Sequence, residues 1–247
     1  MQIKITSALL SVLFLGLASA CAGDAPPPYN GGPFDASIVI GEVTAAQILA
    51  IAPQSACNNA NFPDECSTSE IAAGRLNEAF ATYGLTTLGQ KAAMIAYGAF
   101  ESSGFAFNRN HYPGRPGQGT KTMFMFPQVY KFALSIPELK PQVITLSPGG
   151  VEATVTFDNY ENIFSPDAQQ KIRELVLPDQ YTFRSAPWFL TAECAASVQG
   201  LNNGVQGWTD FMGTGCIYAP VPVEKDRTDL WCLAIKTLAP KGMQLPC

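Results

Sequence analysis

The sequence predicts a mainly α-helical domain that carries one small β-hairpin and is stabilised by disulfides. From Thr44 onward, apolar residues recur at helical spacing behind capping residues over most of the chain. One stretch, 142–160, instead alternates apolar and polar residues around the turn sequence SPGG, a pattern typical of a hairpin. The chain of 247 residues also contains seven cysteines, enough for a disulfide framework.

The first 22 residues are expected to form a secretory signal peptide, so we expect a secreted, extracellular protein. A lysine precedes the apolar run from Ala8 to Leu17, and small residues follow it. Cleavage after Ala22 would remove Cys21 and leave an even number of cysteines, which favours disulfides in an exported chain. A lipid anchor on Cys21 is the alternative interpretation. Residues 23–43 are rich in proline and glycine and are expected to form an extended arm.

The domain predicted over 44–247 begins with helices that have recognisable ends. Thr44 is a candidate cap for the first helix, and Ser67 with Glu70 has capping-box spacing at the start of a second one. Gly84 is placed where that second helix should stop. Further helices are predicted over 86–104 and 126–136 and, after the hairpin, from Ser165 onward.

The cysteines that remain after cleavage are expected to pair with their neighbours in the sequence. Proximity favours a bridge between Cys57 and Cys66. The last four cysteines allow three connectivities, of which the same argument favours Cys194 with Cys216 and Cys232 with Cys247.

Composition excludes several classes of function. The net charge is −5 and the sequence has no basic patch, so nucleic acid is not an expected partner. After the signal peptide no stretch approaches ~20 apolar residues, so no membrane contact is expected. With the cysteines oxidised, the single histidine, His111, leaves too few ligands for a metal. We therefore expect a monomer without a cofactor.

Glu101 is the candidate catalytic residue. It ends the helix that contains the uniformly apolar run 92–100, and residues 93, 94, 97 and 98 place it on an apolar face. Burial and the negative end of the helix dipole both favour the protonated carboxyl, which is the state that a general acid needs. The alternative is a solvated glutamate at a fraying helix end.

The loop that follows Glu101 offers side chains suited to a hydroxyl-rich ligand. Amides and a guanidinium bond hydroxyl groups, and aromatic rings contact the flat faces of sugar rings. Turn formation and surface decoration are the other explanation for such a loop. The candidate substrate-binding residues are Asn108, Asn110, His111, Tyr112, Arg115 and Gln118.

The segment from Glu101 to the 126–136 helix resembles the catalytic segment of the lysozyme-like superfamily, which includes lytic transglycosylases and goose-type lysozymes. A stretch further on resembles plant-type chitinases of the same superfamily, and the whole resembles a group of secreted fungal proteins. The resemblance covers about 85–232. It departs from the family at Phe124, where a glutamine is expected. The matching positions are Glu101, Ser102, Phe105, Gly117 to Gly119, Met123 and Pro127.

This resemblance implies a lysozyme-like helical domain that hydrolyses a β-1,4-linked amino-sugar polymer, chitin or peptidoglycan, with Glu101 as the general acid. Many glycosidases need a second carboxylate, but no other acidic residue lies between Glu78 and Glu138. Glu152, Asp158 or the acetamido group of the substrate could take that role. If none does, the chain is a non-catalytic secreted glycan-binding or effector-like module on a degenerate lysozyme-like scaffold. The stretch EKDRTDLWC is interpreted as a solvated helix face.

Overall fold

The computed structural model describes residues 34–220 and 222–247. The predicted signal peptide, Cys21 and the first part of the predicted arm lie outside these residues. The described part of the chain is mainly helical, as predicted, and its β-structure consists of isolated bridges such as Val39 with Thr87. Its α-helices are Ala45–Ile51 (α1), Ser69–Tyr83 (α2), Leu88–Glu101 (α3), Phe126–Ser135 (α4), Lys140–Leu146 (α5), Tyr160–Ile163 (α6), Pro166–Val176 (α7), Asp179–Thr182 (α8), Ser185–Trp188 (α9), Ser197–Gly200 (α10), Gly204–Asp210 (α11) and Lys225–Leu238 (α12).

Most helix ends follow from local sequence signals. Thr44 caps α1, and Ser165 caps α7, which has Pro166 in its first turn. Gly84 ends α2 in the left-handed conformation, with a φ of 67°. The α2 cap is Thr68 rather than Ser67, because the Thr68 hydroxyl accepts the Ile71 N–H. The sequence therefore predicted the start of α2 to within one residue.

The predicted hairpin over 142–160 is wrong. Its first part is α5, and Pro148–Gly150 forms a 3₁₀ turn in which both glycines have positive φ. The extended residues that follow find a partner in a side chain instead of a strand, since the Ala153 N–H donates to the Tyr130 hydroxyl at 2.9 Å. The alternating pattern instead reflects single buried residues such as Val143 and Val155.

Two apolar clusters form the core. The larger cluster joins α1, α2, α3, α11 and α12, and the smaller one joins α4, α5 and α7. Helix α3 is buried on every face from Leu88 to Ala99, as its uniformly apolar sequence predicted. The three tryptophans Trp188, Trp208 and Trp231 are also buried in these clusters.

Three disulfides connect the predicted pairs: Cys57–Cys66, Cys194–Cys216 and Cys232–Cys247. Each bridge closes a loop of 9 to 22 residues, and bridges of this kind persist in oxidising compartments. The first ties down the loop before α2, and the third holds the chain end against α12.

None of the helices in residues 34–220 and 222–247 combines the length and the hydropathy that a bilayer crossing requires.

Candidate functional site

A cleft of about 660 Å³ lies between the two apolar clusters. One wall comes from α4 and the segment 155–157, and the other from the chain that follows α9 and α11. Its lining mixes aromatic rings with amide, hydroxyl and charged groups, as binding sites for small polar ligands do. The lining residues are Tyr97, Pro127, Gln128, Lys131, Val155, Thr156, Phe157, Phe189, Glu193, Cys194, Gly215, Cys216, Ile217 and Tyr218.

Two π-helical turns build the second wall. Phe189–Glu193 follows α9 directly, and Phe211–Gly215 follows α11. Each turn ends at a cysteine, and the Cys194–Cys216 disulfide joins the two ends. Such π turns are frequent at functional sites, and here the disulfide holds both against the cleft.

An ion pair crosses the cleft, and two exposed aromatic side chains lie along its edge. Lys131 on α4 donates to Glu193 of the first π turn at 3.0 Å, which links the two walls. Phe157 is 56% exposed and Tyr218 is 77% exposed. Two aromatic rings that stay open to solvent beside a cleft provide flat faces for a ligand.

Glu101 lies at the C-terminal end of α3, where it is bonded to Arg227 of α12. The distance between Glu101 Oε1 and Arg227 Nη1 is 2.5 Å, and the Glu101 side chain is 22% exposed. The Arg227 guanidinium also covers the Phe100 ring at 4.0 Å. Arg227 Nε donates to Glu224 at 2.9 Å. One guanidinium therefore holds two carboxylates, and we call Glu101, Glu224 and Arg227 the carboxylate cluster.

Tyr97 connects this cluster to the cleft. It precedes Glu101 by one helical turn on α3, and it is part of the cleft lining. Burial raises the pKa of the Tyr97 hydroxyl, the charge of Glu101 raises it further, and Arg227 opposes the rise. Both charges thus act on a side chain that forms the cleft surface.

The cluster's cation stays charged. Burial alone would lower the pKa of Arg227, but its bonds to Glu101 and Glu224 outweigh burial and raise the pKa above its ordinary value. With both carboxylates ionised the cluster carries one net negative charge.

The predicted loop residues do not line this cleft in the described part of the chain. Two of them, Asn108 and His111, instead contact Glu65, a buried carboxylate that was not predicted from the sequence. Glu65 Oε2 accepts the N–H groups of Asn108 and Arg109 at 3.0 and 3.1 Å, and its other oxygen contacts His111 at 2.8 Å. The His111 ring also stacks on Phe62 with 3.7 Å between centroids. These contacts give Asn108 and His111 structural roles.

The other four predicted loop residues contact different parts of the protein and do not form one site. The Asn110 side chain closes a turn by accepting the N–H groups of Gly114 and Arg115. Tyr112 is 92% exposed. The Gln118 amide donates to the Met123 carbonyl at 3.1 Å. Arg115 lines a separate hollow of about 470 Å³ beside Tyr160.

Lys121 anchors this loop from inside and was also missed. Its ammonium is buried and donates to the carbonyls of Glu65 and Phe105 at 2.8 Å and of Phe107 at 3.3 Å. Burial lowers the pKa of Lys121 to about 8, against the pull of Asp179 and Glu65.

The carboxylate that shares a bonding partner with Glu101 is Glu224, which is not one of the predicted hairpin residues. Glu152 is exposed and pairs with Lys140 at 3.1 Å, whereas Glu224 shares Arg227 with Glu101. The interpretation of EKDRTDLWC as a solvated face was incomplete for this reason. A usable signal was present, because Arg227 precedes the buried Trp231 by one turn and so points toward the core side of α12.

No family model matches the chain. A bifunctional dioxygenase (DOX)-epoxy alcohol synthase (EAS) of Fusarium oxysporum (strain Fo5176) is 36% identical over 108 residues. That match covers 44% of this chain and 8% of the relative's length. Because it spans so little of the relative, the two activities in that name remain properties of that protein.

Proposed function

We propose that this protein is a secreted glycoside hydrolase with a lysozyme-like fold, acting as a monomer on a β-1,4-linked amino-sugar polymer, chitin or peptidoglycan. The observation that carries the proposal is the carboxylate cluster, whose Glu101 lies one helical turn from Tyr97 of the cleft lining. Glu101 and Glu224 share one guanidinium, and most glycoside hydrolases use a pair of carboxylates. Three disulfides support an exported protein.

In the proposed reaction Glu101 donates a proton to the oxygen of the scissile glycosidic bond. The bond to the leaving sugar breaks, and positive charge develops on the ring that remains. Glu224 or the substrate's own acetamido group stabilises that charge. Water then adds to the ring carbon, and the proton that it releases returns to Glu101.

The cleft provides the binding energy for a polymer. Phe157 and Tyr218 offer ring faces to pyranose units, and Gln128, Lys131 and Glu193 offer donors and acceptors to hydroxyl groups. The Cys194–Cys216 bridge fixes one wall, so less conformational entropy is lost when a ligand binds.

Removing either rim aromatic should weaken glycan binding. We expect Phe157→Ala and Tyr218→Ala each to raise the Kd for soluble chitin oligomers about 5- to 30-fold, because each substitution removes roughly 1–2 kcal/mol of contact with the ligand. Calorimetric titration would measure the change, with purified peptidoglycan tested in a pull-down. Tyr112→Ala is the matched control, since Tyr112 is exposed but lies outside the cleft lining. Weaker binding only in the control would place the site on the 108–118 loop instead.

A non-catalytic glycan-binding module is the second candidate, and one observation favours it. Glu101 is bonded to Arg227 at 2.5 Å and does not belong to the cleft lining, so no described contact places its carboxyl group against a bound glycan. Retained glycan binding without release of reducing ends or shorter oligomers would establish this alternative.

A further inference from the structure

We infer that the hollow beside Tyr160 binds the free C-terminal carboxylate of a peptide that ends in an apolar or aromatic residue. This inference is independent of the proposed glycan cleft, because the linings of the hollow and of the cleft have no residue in common. It assigns a ligand to part of the polar loop over 108–118, since Arg115 of that loop lies at the hollow.

Arg115 is a cation that has no carboxylate partner in residues 34–220 and 222–247. Each of the other arginines in these residues has a carboxylate oxygen within 4.0 Å of its guanidinium. Arg115 Nη1 instead donates to the Met125 sulfur at 3.5 Å, and a thioether is a weak acceptor. Most of its five N–H donors are therefore available to a ligand, and a guanidinium can bond a carboxylate through two parallel hydrogen bonds.

The loop backbone holds Arg115 in place before a ligand binds. The Arg115 N–H donates to the Asn110 side chain at 3.2 Å, and its carbonyl accepts the Gln118 N–H at 3.2 Å. Gly117 has a φ of 71°, and a Cβ atom at this position would lie only 2.6 Å from the Phe126 ring. Because the loop is packed this closely against the protein, little conformational entropy is lost when the guanidinium binds a ligand.

The charges of the lining favour a carboxylate over a phosphate group. Glu161 lines the same hollow and accepts a hydrogen bond from the Tyr160 hydroxyl at 3.0 Å. Burial and this bond raise the pKa of the Tyr160 hydroxyl, and the charge of Arg115 opposes the rise. With one cation and one anion in its lining, the hollow suits a singly charged carboxylate better than a phosphate, which carries nearly two negative charges.

The rest of the lining suits the last residue of a peptide. Gln169 is 3% exposed, and its amide nitrogen donates to the Phe164 carbonyl at 3.0 Å. The amide oxygen is therefore the end of this side chain that can accept the peptide N–H next to the carboxylate. The volume of about 470 Å³ is that of a small-ligand site. The walls that can contact an apolar or aromatic side chain are Pro116, Met125, Tyr160 and Pro166.

The test compares two forms of one probe, the peptide N-acetyl-Gly-Gly-Phe with a free C-terminal carboxylate and with a C-terminal amide. Each would be titrated against protein that carries ¹³C-labelled methionine methyl groups. We expect the acid to bind at least about 10-fold more tightly than the amide, because the amide cannot form the charge-assisted bonds to Arg115. The methyl signal of Met125 should shift, whereas that of Met94, which is buried in α3, should not.

Arg115→Gln should abolish the preference for the acid and leave the Tm unchanged, because Arg115 is exposed. Arg75→Gln is the matched control, since Arg75 is exposed, pairs with Glu78 and lies outside the hollow. It should keep the full preference. The inference is wrong if Arg115→Gln keeps the preference, or if the unsubstituted protein binds acid and amide equally. It is also wrong if the acid does not bind up to about 10 mM, or if inorganic phosphate binds more tightly than the acid.

Discussion

Lys121→Met should lower the free energy of unfolding by about 2–5 kcal/mol. The ammonium holds two separate parts of the chain together by donating to the carbonyls of Glu65, Phe105 and Phe107. Methionine fills the space but donates nothing. In the variant the Phe105 carbonyl keeps its hydrogen bond from the Ser67 N–H. The carbonyl oxygens that lose a hydrogen bond without this replacement are those of Glu65 and Phe107. Urea unfolding followed by fluorescence would measure the difference.

Lys171→Met is the matched control, because Lys171 is exposed and, within residues 34–220 and 222–247, its ion pair is with Asp167 one turn away. We expect it to change the unfolding free energy by less than about 0.5 kcal/mol. Equal stability of the Lys121 variant and the unsubstituted protein would contradict the anchoring role.

Lys121 should also make the free energy of unfolding depend on pH in the alkaline range. The folded-state pKa of Lys121 is lowered to about 8 by burial, whereas the unfolded value is about 10.4. Between these values the unfolded chain binds more protons, so the contribution of Lys121 to stability rises with pH. The difference in unfolding free energy between the unsubstituted protein and Lys121→Met should therefore widen from pH 8 to pH 10. A difference that narrows over that range would exclude a lowered pKa.

The helices and disulfides could be predicted because their signals are local. Thr44 and Ser165 cap the helices that follow them, and Gly84 ends α2 in a conformation that glycine adopts freely. Each disulfide joins cysteines that are near one another in the sequence. The hairpin prediction was wrong because the backbone of its first half forms the helix α5, and the Ala153 N–H in its second half donates to the distant Tyr130 hydroxyl.

The candidate site could be predicted only in part for a related reason. Glu101 was located at the end of a buried helix from sequence alone, but its partner Arg227 lies 126 residues further on. The polar loop looked like a ligand site because its partner Glu65, 43 to 46 residues earlier, could not be foreseen as buried. Long-range ion pairs decide which polar residues remain available to a ligand, and no local pattern encodes them.

Glu101→Gln should reduce hydrolysis of chitin oligomers or peptidoglycan by about 10²- to 10⁴-fold while leaving glycan binding intact. Glutamine keeps the shape of the side chain and can still accept a hydrogen bond from Arg227, but it has no proton to donate. Arg227 keeps its bond to Glu224, so the end of α3 should remain folded. Product release would be followed by mass spectrometry from pH 4 to pH 8, on both substrates in parallel.

Two further variants separate the roles of the carboxylates. Glu224→Gln should also reduce the rate, because it removes the second carboxylate of the cluster. Glu152→Gln should leave the rate unchanged, since Glu152 is exposed and pairs with Lys140. Full activity of Glu101→Gln would rule out Glu101 as the general acid. Glycan binding without hydrolysis by the unsubstituted protein would assign the cleft to recognition alone.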